Sequence, residues 1–187
     1  MPTMNNFPIV IEGQEFWISR SVSVEGFIFT IDSGLRVLAN KRGKSCPNEV
    51  GKWNCPCGYL DYNETVEQAC LREVKEETNL TVGPSLLNFL WIDSTPKGRT
   101  QNVSIAFWAF SLSYAGQTIT GEFADNGEVD DVEWIGLDEL DKYDWAFQHN
   151  YTIMRIALEH LSPMLSEEII RRFKEQLKEH DSLVNHA

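Results

Sequence analysis

Three glutamates with helical spacing are the residues in this sequence best suited to do chemistry. Glu73, Glu76 and Glu77 stand at positions i, i+3 and i+4, so in a helix they lie on one side. The apolar residues Ala69 and Cys70 fall on that same side, whereas a helix normally keeps its carboxylates away from its apolar stripe. Clustered like charges destabilise a helix unless a positive charge lies among them. The spacing therefore predicts a site for a divalent cation with oxygen ligands, most simply Mg²⁺ or Mn²⁺. The alternative is a solvated acidic face.

The segment around these glutamates has the composition of one helix. From Asn63 to about Thr78 nothing breaks a helix, and good helix formers dominate. We predict Asn63 as the N-cap residue, with the acidic Glu64 next to it at the positive end of the helix dipole. We predict that the helix stops at Asn79, because asparagine, after glycine, best tolerates the left-handed conformation of a helix end.

The same segment resembles the signature of a known family. The Nudix box reads glycine, five residues, glutamate, seven residues, and then Arg-Glu-apolar-any-Glu-Glu-any-Gly-apolar. It is matched here at Gly58, Glu64, Arg72, Glu73, Val74, Glu76, Glu77 and Leu80. Two positions depart from the pattern: Asn79 replaces the last glycine of the box, and Cys57 stands where the family usually has the first glycine of Pro-Gly-Gly.

This resemblance implies a fold and a reaction. The fold would be an α/β/α sandwich with a mixed sheet, which agrees with the order of strand and helix patterns along the chain. The reaction would be hydrolysis of a nucleoside diphosphate linked to another group, giving a nucleoside monophosphate and the phosphorylated remainder. The cofactor would be Mg²⁺ or Mn²⁺. ADP-ribose, nucleotide sugars and nucleoside triphosphates are the candidate substrates.

The resemblance also implies roles for the residues of the box. Glu73 and Glu77 would be the principal metal ligands, with Glu76 assisting and taking part in catalysis. The main-chain carbonyl of Cys57 would complete the metal shell, so its changed side chain need not abolish that role. Arg72 would orient the carboxylates.

Three further box residues are expected to be structural. Glu64 would pair with Arg72, Gly58 is the first glycine of the box, and Asn79 is the helix stop.

The proton acceptor in the reaction would be Glu128 or, failing that, Glu73. Many Nudix enzymes carry an additional glutamate six residues before a strand tryptophan, and Glu128 stands at that spacing from Trp134. Its rivals in the same acidic segment are Asp125, Asp130 and Asp131.

Two arginines are the candidate substrate-binding residues. Arg42 ends a predicted strand, and its guanidinium would grip phosphate with two hydrogen bonds. The alternative is an arginine on a solvated loop. Arg99 lies in the loop Asp93–Arg99, whose cations could sit over a substrate. In that loop, Pro96 lies 16 residues beyond Leu80, a placement that resembles ADP-ribose-cleaving Nudix members.

The composition narrows the class of protein. The chain has 187 residues, a hydrophobic content of 42% and a formal net charge of −12. This charge argues against general nucleic-acid binding, which needs a basic surface, but not against a small phosphorylated substrate at a metal. We find no apolar run long enough to span a membrane and no secretory signal. The four cysteines suit reduced thiols, and we expect a cytoplasmic protein.

The chain divides into three predicted parts. Residues 1–20 would form a β-hairpin extension with Gly13-Gln14 as its turn. Residues 21–162 would form the Nudix domain, with strands over 21–31, 35–41, 52–57, 85–92 and 102–114 and a helix over 145–161. In this helix, we expect His149 to lie on the surface, although it could face a cleft. Residues 163–187 would form an amphipathic helix that Ser166 caps, packed on the domain or on a second subunit, so that a homodimer stays open.

Two other classes of function remain. One is a Nudix-like nucleotide-binding regulatory module without catalysis. The other is an acidic cation-binding protein without a nucleotide ligand, in which nucleotides would not raise the melting temperature.

Overall fold

The computed structural model describes residues 7–95, 102–114 and 127–184. Nine β-strands and three α-helices lie in these residues. In chain order they are β1 (Phe7–Ile11), β2 (Gln14–Ile18), β3 (Val22–Ile31), β4 (Leu35–Arg42), β5 (Trp53–Asn54), β6 (Cys57–Tyr59), α1 (Val66–Thr78), β7 (Asn88–Asp93), β8 (Val103–Phe110), β9 (Val129–Gly136), α2 (His149–His160) and α3 (Glu167–Val184). The predictions for Pro96, Arg99 and Asp125 lie outside the described residues.

Seven of these strands form one mixed sheet. Its order is β5-β4-β3-β8-β7, with β6 also pairing with β3 and β9 with β4. Strands β3 and β8 are parallel, and the other pairs are antiparallel. Strand β3 pairs with β4 only near its end and with β6 near its start. The start of β3 and the end of β4 therefore lie at the same end of the sheet, where the cleft described below opens.

Helices cover both faces of this sheet, because its central strands are apolar on both sides. On one face Ile28 and Leu38 pack in a cluster with Val74 of α1. On the other face, Phe27 and Phe29 share a cluster with residues of α2 and α3. The predicted α/β/α sandwich with a mixed sheet is confirmed. No helix in the described residues has both the length and the apolar character to cross a bilayer.

The N-terminal hairpin is present, but the prediction of its turn was wrong by one residue. Strands β1 and β2 form a separate two-stranded sheet, in which Ile11 pairs with Gln14. The turn is therefore Glu12-Gly13, and both residues have positive φ, 49° and 81°. Two left-handed residues in succession form the tight turn that matches the twist of a hairpin.

Helix α1 starts later than predicted and stops where predicted. Its N-cap is Thr65, not Asn63. The side chains and amides of Thr65 and Gln68 exchange hydrogen bonds in a capping box, whereas Asn63 has a φ of 68° before the helix. At the other end Asn79 is left-handed, with a φ of 57°, and its amide donates to the Lys75 carbonyl. The helix stop is confirmed.

Two other segments differ from the predictions. The segment 52–57 is not one strand, because Pro56 has no N–H for a sheet ladder; β5 ends before it and β6 begins after it. The segment 145–161 is not one helix, because Phe147 and Gln148 are both left-handed, with φ of 55° and 61°. Helix α2 begins only at His149.

Helix α3 packs on the rest of the described chain. The hydroxyl oxygen of Ser166 accepts from the amide of Ile169, so the predicted cap is present. Phe173 and Leu177 are buried in the cluster that contains Ile153 of α2.

Candidate active site

A cleft of about 870 Å³ opens at the end of the sheet where β3 starts and β4 ends. Its walls come from most parts of the fold: Glu25 on β3, Arg42 on β4, Gly58 on β6, Glu73 on α1 and His149 on α2 all line it. Glu77 and Glu128 line it as well, as do residues of α2 and α3 discussed below. The fold therefore brings most of the predicted site residues to one place.

Gly58 and Glu73 are in direct contact. A Cβ atom built on Gly58 would overlap all three atoms of the Glu73 carboxyl group. Only glycine, which has no side chain, leaves room for this carboxylate to lie against the backbone of β6. The side chain of Glu73 is 13% exposed, and burial, the largest cause, raises its pKa. The first glycine of the box is thus needed so that the Glu73 carboxylate can pack against the backbone of β6.

Glu77 reaches the same short strand one helical turn later. Its Oε2 accepts a hydrogen bond of 3.1 Å from the backbone amide of Cys57. Burial raises the pKa of Glu77 to about 8, and the nearby charge of Glu73 acts in the same direction. Two carboxylates that disfavour each other's charge are thus held side by side at the edge of the cleft.

Arg72 connects the glutamates of the box. Its Nε donates to Glu64 Oε2 at 3.1 Å and its Nη2 to Glu64 Oε1 at 2.8 Å. Its Nη1 donates to Glu73 Oε1 at 2.8 Å and to Glu76 Oε2 at 3.0 Å. The expected pairing of Arg72 with Glu64 is observed, and this pairing lowers the pKa of Glu64. Arg72 thereby holds one of the two buried carboxylates in a defined orientation.

Glu76 differs from its two neighbours. Its side chain is 51% exposed and its carboxylate is bonded to Arg72. It does not line the cleft. Any assistance that Glu76 gives at the site would act through Arg72.

Arg42 is buried rather than on a solvated loop. It is 7% exposed, and its Nε and Nη2 donate to the carbonyl and the side-chain oxygen of Asn48. Its guanidinium carbon lies 4.8 Å from the ring centroid of Phe147. The cleft therefore has a fixed cation in its wall, at the residue predicted to contact phosphate.

His149 is not the surface histidine that the sequence favoured. It is 2% exposed, and its Nδ1 accepts a 3.0 Å hydrogen bond from the amide of Cys55. Its Nε2 lies 4.0 Å from Glu25 Oε2. Burial, followed by the charge of Arg42, lowers the pKa of His149 to about 3. It is a neutral residue that connects α2 to the segment before β6.

Glu128 lies at the rim of the cleft, just before β9. It is exposed, and its backbone carbonyl accepts from the amide of Gly43 at 2.7 Å and from the thiol of Cys46 at 3.2 Å. Of its rivals, Asp130 and Asp131 do not line the cleft. Among the described rivals, Glu128 is thus the acid of this segment that lines the cleft.

The donor set fits a hard divalent cation in part. Glu73 and Glu77 offer carboxylate oxygens at one edge of the cleft, where their buried charges favour a positive ion. Among the described side chains there is no preassembled group of three or more His, Cys, Asp or Glu residues that could hold a metal. A metal would therefore use these two carboxylates together with main-chain oxygen and water, as Mg²⁺ commonly does.

Some residues of the cleft were missed in the sequence. Glu25 was one of them, although an acid inside a strand as apolar as 22–31 is itself a signal. Phe147 and His180 carry no comparable signal, because their place at the cleft depends on the irregular start of α2 and on the packing of α3.

Three comparisons place the chain among known proteins. Over 137 residues it is 30% identical to the ADP-ribose pyrophosphatase of Methanocaldococcus jannaschii, covering 73% of each protein. Over 93 residues it is 31% identical to the NAD-capped RNA hydrolase NudC of Vibrio atlanticus, covering 50% of this chain but only 31% of that protein's length. The structure of the NUDIX domain of Shewanella oneidensis NrtR complexed with ADP ribose matches with a TM-score of 0.60 and 26% identity, over 73% of this chain and 85% of that one. Residues 22–156 match the NUDIX domain, and the chain belongs to the Nudix family.

Proposed function

We propose that this protein is a pyrophosphohydrolase that uses Mg²⁺ or Mn²⁺ to cleave a nucleoside diphosphate linked to another group. The products are a nucleoside monophosphate and the phosphorylated remainder. The observation that carries this proposal is the contact of two largely buried carboxylates, Glu73 and Glu77, with β6 at the edge of a large cleft. Two neighbouring buried carboxylates destabilise the folded protein when no cation is bound between them. A divalent cation that also binds phosphate would remove this destabilisation.

The residues of the cleft have separate tasks in this proposal. Glu73 and Glu77 would hold the cation, with the main-chain carbonyl of Cys57 as a further ligand. Arg72 keeps Glu73 oriented through its bonds to the box glutamates. The chemistry that Mg²⁺ would supply there is to offset negative charge on the phosphate oxygens during the attack of water on one phosphorus.

Two further residues complete the proposed reaction. Arg42, fixed by Asn48, contacts a phosphate oxygen of the substrate. Glu128, at the rim of the cleft, accepts the proton of the attacking water. Glu73 is the alternative acceptor.

ADP-ribose is the first substrate to test. One relative is an ADP-ribose pyrophosphatase, and one structural neighbour is complexed with ADP ribose. The cleft of about 870 Å³ also lies within the size range of small-molecule sites. Nucleotide sugars and nucleoside triphosphates are the next substrates to test. We also propose that the protein acts in the cytoplasm, to which its four free cysteines are suited.

The second candidate is a nucleotide-binding regulatory module without turnover. One observation favours it: Nη1 of Arg72 bonds to Oε1 of Glu73 and so occupies one of the carboxylate oxygens that a metal ion would need. In that case nucleotides would raise the melting temperature of the protein without being hydrolysed.

A turnover screen with a matched pair of variants separates these candidates. Purified protein with MgCl₂ is mixed with ADP-ribose, nucleotide sugars and nucleoside triphosphates, and the products are separated by chromatography. We expect turnover that stops with EDTA and falls by about two orders of magnitude or more in Glu77→Gln, which removes one ligand charge. The control is Glu67→Gln, on the same helix but exposed and outside the cleft, and it should keep wild-type activity. Near-normal turnover of Glu77→Gln would refute the assignment of the site.

A further inference from the structure

Aromatic and amide side chains form the mouth of the cleft. They differ in this from the carboxylates that form its acidic edge. Phe147 and Gln148 come from the turn just before α2, Tyr151 comes from the first turn of α2, and His180 comes from α3. The match to the NUDIX domain ends at residue 156, so α3 and His180 lie beyond it. One wall of the cleft mouth is therefore supplied from outside the matched domain.

Phe147 is held in a costly conformation. Its φ and ψ are 55° and 15°, and the next residue, Gln148, is left-handed as well. A left-handed bulky residue is a genuine outlier, and such strain persists only where the surrounding structure maintains it. The result is an aromatic side chain that lines the cleft with 44% of its surface exposed. The strained backbone thus presents a large apolar ring to a ligand instead of burying it.

The side chains around Phe147 support this position. The guanidinium of Arg42 lies over its ring, 4.8 Å from the centroid, and the ring of His149 lies 5.6 Å away. A cation over an aromatic face fixes the ring electrostatically. The adjacent Gln148 is fixed by α3, since its Oε1 lies 3.1 Å from Nε2 of His180.

His180 is in turn held from two sides. Its ring stacks on Tyr151 with centroids 3.9 Å apart. Its Nδ1 lies 3.3 Å from Oδ1 of Asp181, which also forms an ion pair with Arg155. The last helix is therefore connected to the strained turn by a continuous set of contacts.

We propose that this region is a stacking subsite for the planar base of a nucleotide: Phe147 is the platform, and His180 is a positioning residue that holds it through Gln148. An exposed aromatic ring in a cleft binds the face of a base, and each such contact contributes on the order of 1–3 kcal/mol to binding, or roughly 5- to 150-fold in affinity. The proposal rests on the proposed function for its choice of a nucleotide ligand. It adds that recognition of the base depends on a helix outside the matched NUDIX domain.

The test measures binding, so it does not depend on turnover. Calorimetry with Mg²⁺ present gives the Kd of AMP and of ribose 5-phosphate, which has the same sugar and phosphate but no base. We expect the wild-type protein to bind AMP at least about 10-fold more tightly. In Phe147→Leu this preference should fall roughly 5-fold or more with ribose 5-phosphate binding unchanged, and Phe147→Trp should retain it.

Variants of α3 test the positioning role. His180→Phe keeps a ring beside Tyr151 but has no nitrogen to contact Gln148, and it should lower the preference for AMP. Lys174→Ala, at an exposed position of the same helix, should leave it unchanged. A lower melting temperature of His180→Phe with the wild-type preference would mean that His180 is only structural, and this would overturn its part of the proposal.

The two proposals can fail separately. Equal affinity for AMP and ribose 5-phosphate, or an equal preference in Phe147→Leu and wild type, would overturn the stacking subsite even if the protein hydrolyses nucleotides. A preference for AMP that depends on Phe147, without hydrolysis of any nucleotide, would support the subsite and refute the catalytic function.

Discussion

The neutral state of His149 leads to a quantitative prediction about stability and pH. The ring is 2% exposed, accepts a hydrogen bond from the amide of Cys55, and has a pKa lowered to about 3 by burial and by Arg42. An unfolded chain would protonate the same ring near a pH of about 6.5. Below that pH the unfolded state binds a proton that the folded state does not. The contribution of His149 to stability is therefore present above a pH of about 6.5 and is lost as the pH falls towards 3.

The size of the effect follows from these two pKa values. From pH 7 to pH 5, a group that titrates near 6.5 when unfolded and near 3 when folded lowers the free energy of unfolding by about 2 kcal/mol. Glu25, whose Oε2 lies 4.0 Å from Nε2 of His149, favours the protonated ring and makes this an upper value. Burial also raises the pKa of Glu73 and raises that of Glu77 to about 8, so the wild-type profile by itself does not isolate His149.

A matched variant isolates the contribution of His149 to the pH dependence of stability. His149→Asn does not titrate, and its side-chain oxygen can replace Nδ1 as the acceptor for the Cys55 amide. We would measure urea unfolding of both proteins at pH 7, 6 and 5 without added metal. The free-energy difference between wild type and variant should move by about 2 kcal/mol against the wild type over this range. Parallel profiles would show that His149 carries the same charge in both states, and they would refute the reasoning.

Substitutions at two further positions test the packing of the site and the end of α1. Gly58→Ala should abolish most of the activity, because the new Cβ overlaps the Glu73 carboxylate and this side chain must move away. Since only the end of a flexible side chain moves, the free energy of unfolding should fall by less than about 1.5 kcal/mol. In the control, Gly34→Ala, the new Cβ points into open space and should change neither quantity in turnover and urea assays. Asn79→Gly should alter the free energy of unfolding by less than about 1 kcal/mol, since glycine readily adopts its φ of 57°. Asn79→Val should destabilise the protein by roughly 1–2 kcal/mol, and equal unfolding midpoints for these two variants would contradict the capping role.

The features that could be predicted from the sequence depend on residues close to each other along the chain. The spacing of the α1 carboxylates, the helix stop at Asn79 and the apolar strands are local patterns, and the structure contains them. The N-cap at Asn63 was wrong because Thr65 and Gln68 satisfy two amides at once, which a lone asparagine does not.

Features that depend on distant contacts were not predictable in this way. His149 is buried because it meets the amide of Cys55, 94 residues earlier in the chain. Gln148 is fixed by His180, 32 residues later. Nothing in the local sequence around Phe147 indicates a left-handed backbone, because propensity favours a helix there and tertiary contacts override it. The residues at the mouth of the cleft therefore could not be predicted from the sequence, whereas the carboxylates at its acidic edge could.

Helix geometry explains why the three box glutamates differ from one another. With Glu73 set at zero, the step of about 100° per residue places Glu77 about 40° and Cys70 about 60° to one side. Cys70 is buried, so Glu77 points with it towards the sheet and meets the amide of Cys57. Glu76 lies about 60° to the other side, where its own side chain is half exposed and Arg72 is within reach. The same spacing that groups the carboxylates thus divides them into two that line the cleft and one that acts through an arginine.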